Sequence, residues 1–245
     1  MGDASTLPDY VLDSNAVLKD AQAAWRYGRL PSYAKTREFY ETTKTMTHEA
    51  GSLPDLVEKL VKNWEIEASF KTSFADWRTV DTQKYTFSLN GGPPISGEQM
   101  LQLGTYNALL TPSAYYDPAH NDFETSHKAF KRMMPTFAWE VTEVYSGPPT
   151  VVFKWRHWGY MAKDYVGYND RGDKVRVEAH GGLIDIQGIV IANVNEKLQL
   201  ENIDVWFDPM DMFRQIVGEN ADVRADTTLG AGGCPFSGAA KTAPE

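Results

Sequence analysis

The sequence predicts an α+β fold in which a curved antiparallel sheet wraps over N-terminal helices as a half-open cone. Three observations carry this prediction. Helical periodicity dominates up to Pro135 and period-two alternation dominates after it. The strands follow one another through short turns such as "SGPP" and "NEK", which favours antiparallel pairing. Aromatic residues make up 12% of the 245, enough to furnish both a core and the walls of a hollow.

Taken in order, residues 1–51 read as an N-terminal extension with helices. Its first 30 residues look loosely ordered, with a short helix in "AVLKDAQAAWRYGRLP" ended by Gly28 and Pro31. Ser32 then caps a helix in "YAKTREFYETTKTM", with Tyr33, Arg37, Tyr40 and Met46 on one side and Gly51 as its stop. A cone domain spans 52–218. Its first helix is capped by Ser52, and Leu53, Leu56, Val57, Leu60, Val61, Trp64 and Ala68 form one stripe. Glu67 lies inside that stripe and Glu65 lies well off it. A carboxylate among apolar residues needs a partner or a task, and Lys71 one turn later is a candidate partner.

"KYTFSLNGGPPIS" reads as a strand and a tight return at Asn90-Gly91-Gly92. Ser96 caps "SGEQMLQLGTYNALLT", and "DFETSHKAFKRMMP" is a helix stopped by Pro135. Strands follow at 137–145, which carries Trp139, and at 150–161. After a glycine-containing loop come "KVRVEAHG", "LIDIQGIVIANV" and "LQLENIDVWFD", and "MDMFRQIVG" is a terminal helix. Residues 219–245 are small, polar and glycine-rich, and read as a flexible tail.

In "FKWRHWGYM" (153–161), Phe153, Trp155, His157 and Met161 share one face; Lys154, Arg156, Trp158 and Tyr160 share the other. The cationic face belongs to water, so His157 points inward. The last strand is mixed. Leu198, Leu200, Asn202, Asp204, Trp206 and Asp208 make a face that drifts from apolar to acidic, as if running from core to cavity mouth.

A net charge of −9 argues against nucleic acid and anionic membrane surfaces as partners. No apolar run reaches the ~20 residues of a membrane span. "MGDASTLPDY" shows no signal peptide and only loosely fits a myristoylation pattern at Gly2 and Thr6. A single cysteine, Cys234, forms no internal disulfide, and a cytoplasmic location is expected. No metal-ligand spacing, nucleophile elbow, phosphate loop or dinucleotide fingerprint is present, so no cofactor is expected. The exception is "GGCPFSG", similar to short haem-responsive motifs. There Cys234 would ligate the iron of a haem, or the segment simply packs Phe236.

"AAWRYGRLPSY", "NWEIEASFKT", "QKYTFSLNG", "GTYNALL", "VFKWRHWGYM" and "GGCPFSG", in that order, resemble the pathogen-related protein family of plants and fungi. Its members are assigned to the SnoaL-like group of the nuclear transport factor 2-like superfamily. The resemblance covers about residues 24–238. It implies a cone with a pocket between sheet and helices, and an activity among cofactor-free cyclases, isomerases and dehydratases, or a non-catalytic role as a binder of hydrophobic ligands or haem. It also implies pairing through the open sheet face, for which outward Trp158 and Tyr160 are suited.

The candidate catalytic set is His157, Asp208, Asp204 and Glu67. An imidazole near its ordinary pKa would act as acid or base, or be a core histidine satisfied by a neighbour. Asp208 matches the acid that the resemblance places at the last strand's end, but "FDPMD" also reads as a helix cap. Asp204 would assist, or be solvated outside. Glu67 would join from the helix, or pair with Lys71. Trp64, Tyr106, Trp139, Phe153 and Trp155 are the expected walls for a small apolar metabolite, or plain core.

Overall fold

The computed structural model describes residues 7–218 and the backbone of 224–225. Cys234 and Gly2 lie outside the described residues. Strands β1 (Thr86–Leu89), β2 (Ile95–Ser96), β3 (Ala138–Ser146), β4 (Thr150–Tyr160), β7 (Leu183–Val194) and β8 (Leu200–Trp206) form one sheet in the order β2-β1-β8-β7-β4-β3. Its pairs are antiparallel except β1–β8, which is parallel and departs from the expected wholly antiparallel sheet. Those two strands are far apart in sequence, so no hairpin dictates their relative direction. A second sheet joins β5 (Tyr165–Tyr168), β6 (Lys174–Val177) and β9 (Arg224–Ala225). Its β5 lies where a loop was expected, and β9 lies in the segment expected to be a flexible tail.

The long strands β4 and β7 run alongside one another for 11 register pairs. Register shifts in β3 and β8 bend the sheet around them. Gly188 permits the curvature at close quarters, since a Cβ there would stand 2.5 Å from the Trp155 ring and from the Trp206 carbonyl oxygen.

Into the concave face packs α3 (Leu53–Phe70), the helix expected from its apolar stripe. Ser52 stands at its N-cap without a side-chain bond, and Asp55 instead accepts the Gly51 N–H at 2.8 Å. The expected helix after Ser96 breaks in two, α4 (Gly97–Leu103) and α5 (Thr105–Leu109), at Gly104 (φ 83°). Ser96 and Gln99 form a reciprocal capping box on α4. Next comes α6 (Phe123–Met133), capped by Asp122. The last helix, α7 (Pro209–Val217), packs Phe213 among Tyr115, Tyr116 and Tyr165.

From residue 7 onward, the described part of the N-terminal segment is tied into the fold rather than being a loose lead. The short helix α1 (Asp9–Leu12) and a 3₁₀ turn at Ala16–Lys19 bury Tyr10, Val11, Ala16 and Val17. Asn63 of α3 ties them down, donating to the Tyr10 and Asp13 carbonyls and accepting the Val17 N–H. Helix α2 (Ala34–Thr43) ends before Met46 and contains no buried residue. It crosses the free edge of the sheet, and Thr45 and Met46 give their N–H groups to the buried Glu140 carboxylate of β3. An otherwise open strand edge is thereby covered. Among the described residues no helix is long and apolar enough to cross a membrane.

Candidate functional site

Between α3 and the sheet lies a cavity of about 280 Å³. Its floor is the inner face of the sheet: Phe153, Trp155 and His157 from β4, Ile186, Val190 and Ala192 from β7, Ile203 and Val205 from β8, and Phe207 just past it. Val61, Trp64 and Glu65 of α3, Tyr106 of α5 and Lys131 of α6 form the opposite wall, and Tyr33, Arg37 and Tyr40 close it from α2. All five expected wall residues, Trp64, Tyr106, Trp139, Phe153 and Trp155, line it, as does His157.

His157 retains some accessible surface although it sits deep in the fold, because that surface belongs to the cavity. Its ring stacks on Phe137 with centroids 3.4 Å apart. Burial, reinforced by the charge of Lys131 and opposed by a hydrogen bond to the Phe137 backbone, pushes its pKa down to about 3. The expected imidazole near its ordinary pKa is therefore corrected to one that is neutral throughout the physiological range.

The three expected acids are not brought to it. Asp204 is on the outer face of β8, where its carboxylate accepts the Trp206 indole N–H at 2.8 Å and the Gly91 N–H at 3.2 Å. The cause is a bulge: Asn193 pairs with Asn202 but Val194 with Leu200, so the alternation inverts at Glu201. Leu200 before it and Ile203 and Val205 after it all face inward. Asp208 is an exposed N-cap, accepting from Met210 N at 2.9 Å and pairing with Arg214 at 2.5 Å. Glu67 is fully buried but turned away from the cavity. It accepts from Lys71 Nζ (2.8 Å), Arg78 N (2.8 Å), Thr79 N (3.0 Å) and Thr79 Oγ1 (2.6 Å), so every lone-pair direction is occupied.

Trp158, expected outside, is 1% exposed beneath α2 and donates its indole N–H to Thr43 Oγ1 at 2.9 Å. The Arg156 guanidinium lies 4.2 Å over its ring, as the cation-and-aromatic face suggests. Tyr160 is exposed.

The polar groups that do meet in the cavity were not singled out together. Glu65 accepts the Tyr33 hydroxyl at 2.6 Å and the Ser69 hydroxyl at 3.2 Å, and faces Lys131 Nζ at 3.8 Å. Lys131 and Arg37 flank the Tyr33 ring at 5.5 and 5.8 Å from its centroid. Burial works to discharge Lys131, but Tyr106 and Glu65 outweigh it, and its pKa stands above the ordinary value. Burial raises the Tyr106 phenol, tempered by Lys131. The result is an apolar, aromatic hollow with a cluster of carboxylate, ammonium and phenol on its helical side and a neutral imidazole on its sheet floor.

No family model matches the chain. It is 29% identical over 224 residues to a pathogen-related protein of Hordeum vulgare, covering 88% of this chain and 89% of that one. Among solved structures it is similar to a protein described as a SnoaL-like polyketide cyclase from Jannaschia sp. CCS1 (12% identity, 71% of this chain and 100% of that one, TM-score 0.38). It is also similar to a protein with a ketosteroid isomerase-like fold from Catenulispora acidiphila (9% identity, 69% and 97%, TM-score 0.36). These structural likenesses are loose, and the fold rests on the strand order and the cavity themselves. The chain is thus similar to the pathogen-related proteins along most of its length, as its sequence fragments suggest, and is built as an α+β cone.

Proposed function

We propose that the cavity takes a small, mainly apolar molecule and moves a proton on it without a redox cofactor, in an isomerisation, cyclisation or dehydration. The observation that supports this is the Glu65–Lys131–Tyr106 cluster set into an otherwise aromatic and aliphatic cavity. Glu65 is the base. Its carboxylate is oriented by Tyr33 and Ser69 and removes a proton from carbon, while Lys131 and Tyr106 stabilise negative charge that develops on a substrate oxygen. Such electrostatic help is strongest where water is excluded. Neutral His157 contributes a hydrogen bond to the substrate rather than a transferable imidazolium proton. Asp204, Asp208 and Glu67 have no part in this reading.

The test is incubation of the purified protein with a metabolite extract of its source, with mass spectrometry before and after. The expected change is a new isomer of equal mass or a product lighter by one water, formed by the wild type and lost in Glu65→Gln. A compound that binds and is returned unaltered by the wild type would overturn the catalytic reading.

That outcome would favour a second reading, a non-catalytic carrier, which the strongly depressed basicity of His157 also supports. The haem version depends on Cys234, and a Soret band lost in Cys234→Ala would identify it.

Pairing is proposed through the outer sheet face. Ile189 and Trp206 stand side by side in register, with Ile191 next along β7, and all three are exposed. A contiguous apolar patch of this kind suits a second copy of the chain.

A further inference from the structure

We infer that the ligand is an amphipathic acid, whose carboxylate is bound by Arg37 at the rim of the cavity while its apolar body lies on the aromatic floor. This rests on the cavity being the ligand site, as proposed above, and adds the class of ligand.

The inference starts from charge. The chain carries a net −9, yet the α2 side of the cavity is cationic. Of the charged residues lining it, Lys62 pairs with Glu58 at 2.7 Å, and Glu41 pairs with Lys44 at 2.6 Å. That leaves Arg37 and Lys131 facing one carboxylate, Glu65. One positive charge is in excess.

That charge falls on Arg37. Its Nη1 donates to Ser14 Oγ at 2.9 Å and its Nη2 to the Ser14 carbonyl at 3.0 Å; both acceptors are neutral. The acids that act on it are committed elsewhere. Asp13 holds Lys19 at 2.6 Å, and Glu65 holds the Tyr33 hydroxyl and faces Lys131. A guanidinium has five N–H donors, so three remain for a ligand. Arg37 is half-buried, and burial disfavours its charge. A cation held in such a place without a counter-charge is stabilised when an anion arrives. The planar fork of arginine matches a carboxylate, which can take two parallel N–H bonds. Tyr33 at the N-cap of α2 and Tyr40 within it fix the backbone through hydroxyl bonds to Glu65 and Glu58, so Arg37 is positioned before any ligand binds.

The test compares two probes of equal shape, 2-naphthoate and 2-naphthalenemethanol, titrated at pH 7.5 with tryptophan fluorescence as the readout. A charge-assisted bond predicts that the wild type binds the acid about tenfold more tightly than the alcohol. In Arg37→Gln, which can still bond Ser14, the preference for the acid over the alcohol disappears. Arg37→Lys keeps part of the preference. Equal wild-type affinity for the two probes overturns the inference but leaves the cavity reading standing. A preference that survives Arg37→Gln and is lost in Lys131→Met overturns the assignment to Arg37. Failure of both probes to bind overturns this inference together with the cavity reading.

Discussion

A neutral imidazole inside the fold makes stability depend on pH in a defined direction. The folded pKa of His157 is about 3 against 6.5 in the free side chain. Between those values the unfolded chain binds a proton that the folded chain refuses, so stability is lost as pH falls through 6.5 towards 3. At pH 5 the loss from this residue is about 2 kcal/mol relative to pH 8. His127, whose pKa burial lowers to about 4, acts in the same direction. Denaturant melts at pH 8 and pH 5 should show the wild type losing about 2 kcal/mol more than His157→Gln; parallel losses would contradict the burial described. Glu67 gives a contrasting expectation. Glu67→Ala should cost about 3 kcal/mol of stability, since the Arg78 and Thr79 N–H groups and the Thr79 hydroxyl lose their acceptor while Lys71 keeps Asp20 at 2.6 Å. A cost below about 1 kcal/mol would remove Glu67 from the framework. The inward aim of His157 was legible because alternation runs unbroken through β4, with cations on the opposite face. The position of Asp204 was not, because a single extra residue at Glu201 inverts every side chain after it. Glu65 was missed for another reason: its partners Tyr33 and Lys131 lie on separate helices, and nothing local in the α3 stripe marks the meeting.

At the scale of elements, α2 is held over the cavity without burying any residue of its own. Phe39 and Tyr40 pack on Trp158, and polar ties do the rest: Tyr33 to Glu65, Tyr40 to Glu58, Trp158 to Thr43, and the Glu140 carboxylate gripping Thr45 and Met46. Glu140→Gln weakens the last of these and the ion pair with Arg156. Hydrogen exchange across residues 34–48 should then accelerate about tenfold or more while α3 stays protected. Equal protection in both proteins would show that Glu140 does not hold this segment down. The stripe of Tyr33, Arg37 and Tyr40 was visible as one side of a helix, and it is the side that closes the cavity. The sequence could not show that the helix ends at Thr43, because what stops it is the edge of β3, an element almost a hundred residues away.

The whole molecule is a cone whose interior and exterior make separate claims. Outside, Ile189, Ile191 and Trp206 are 40%, 38% and 44% exposed, and the proposed pairing would cover them. Sedimentation at micromolar concentration should give a dimer for the wild type and a monomer for Ile189→Lys; a wild-type monomer would refute the pairing. Inside, everything said of chemistry depends on the hollow. The sequence revealed its walls, because Phe153 and Trp155 repeat with period two and Trp64 with period 3.6, but its rim depends on how helices from three parts of the chain converge. An apolar cavity of this kind admits xenon. Diffraction from a xenon-pressurised crystal is therefore the direct measurement. Xenon density among Trp64, Phe153, Trp155 and Val190 is the predicted result, and side chains filling that space, with no xenon bound, would contradict the account.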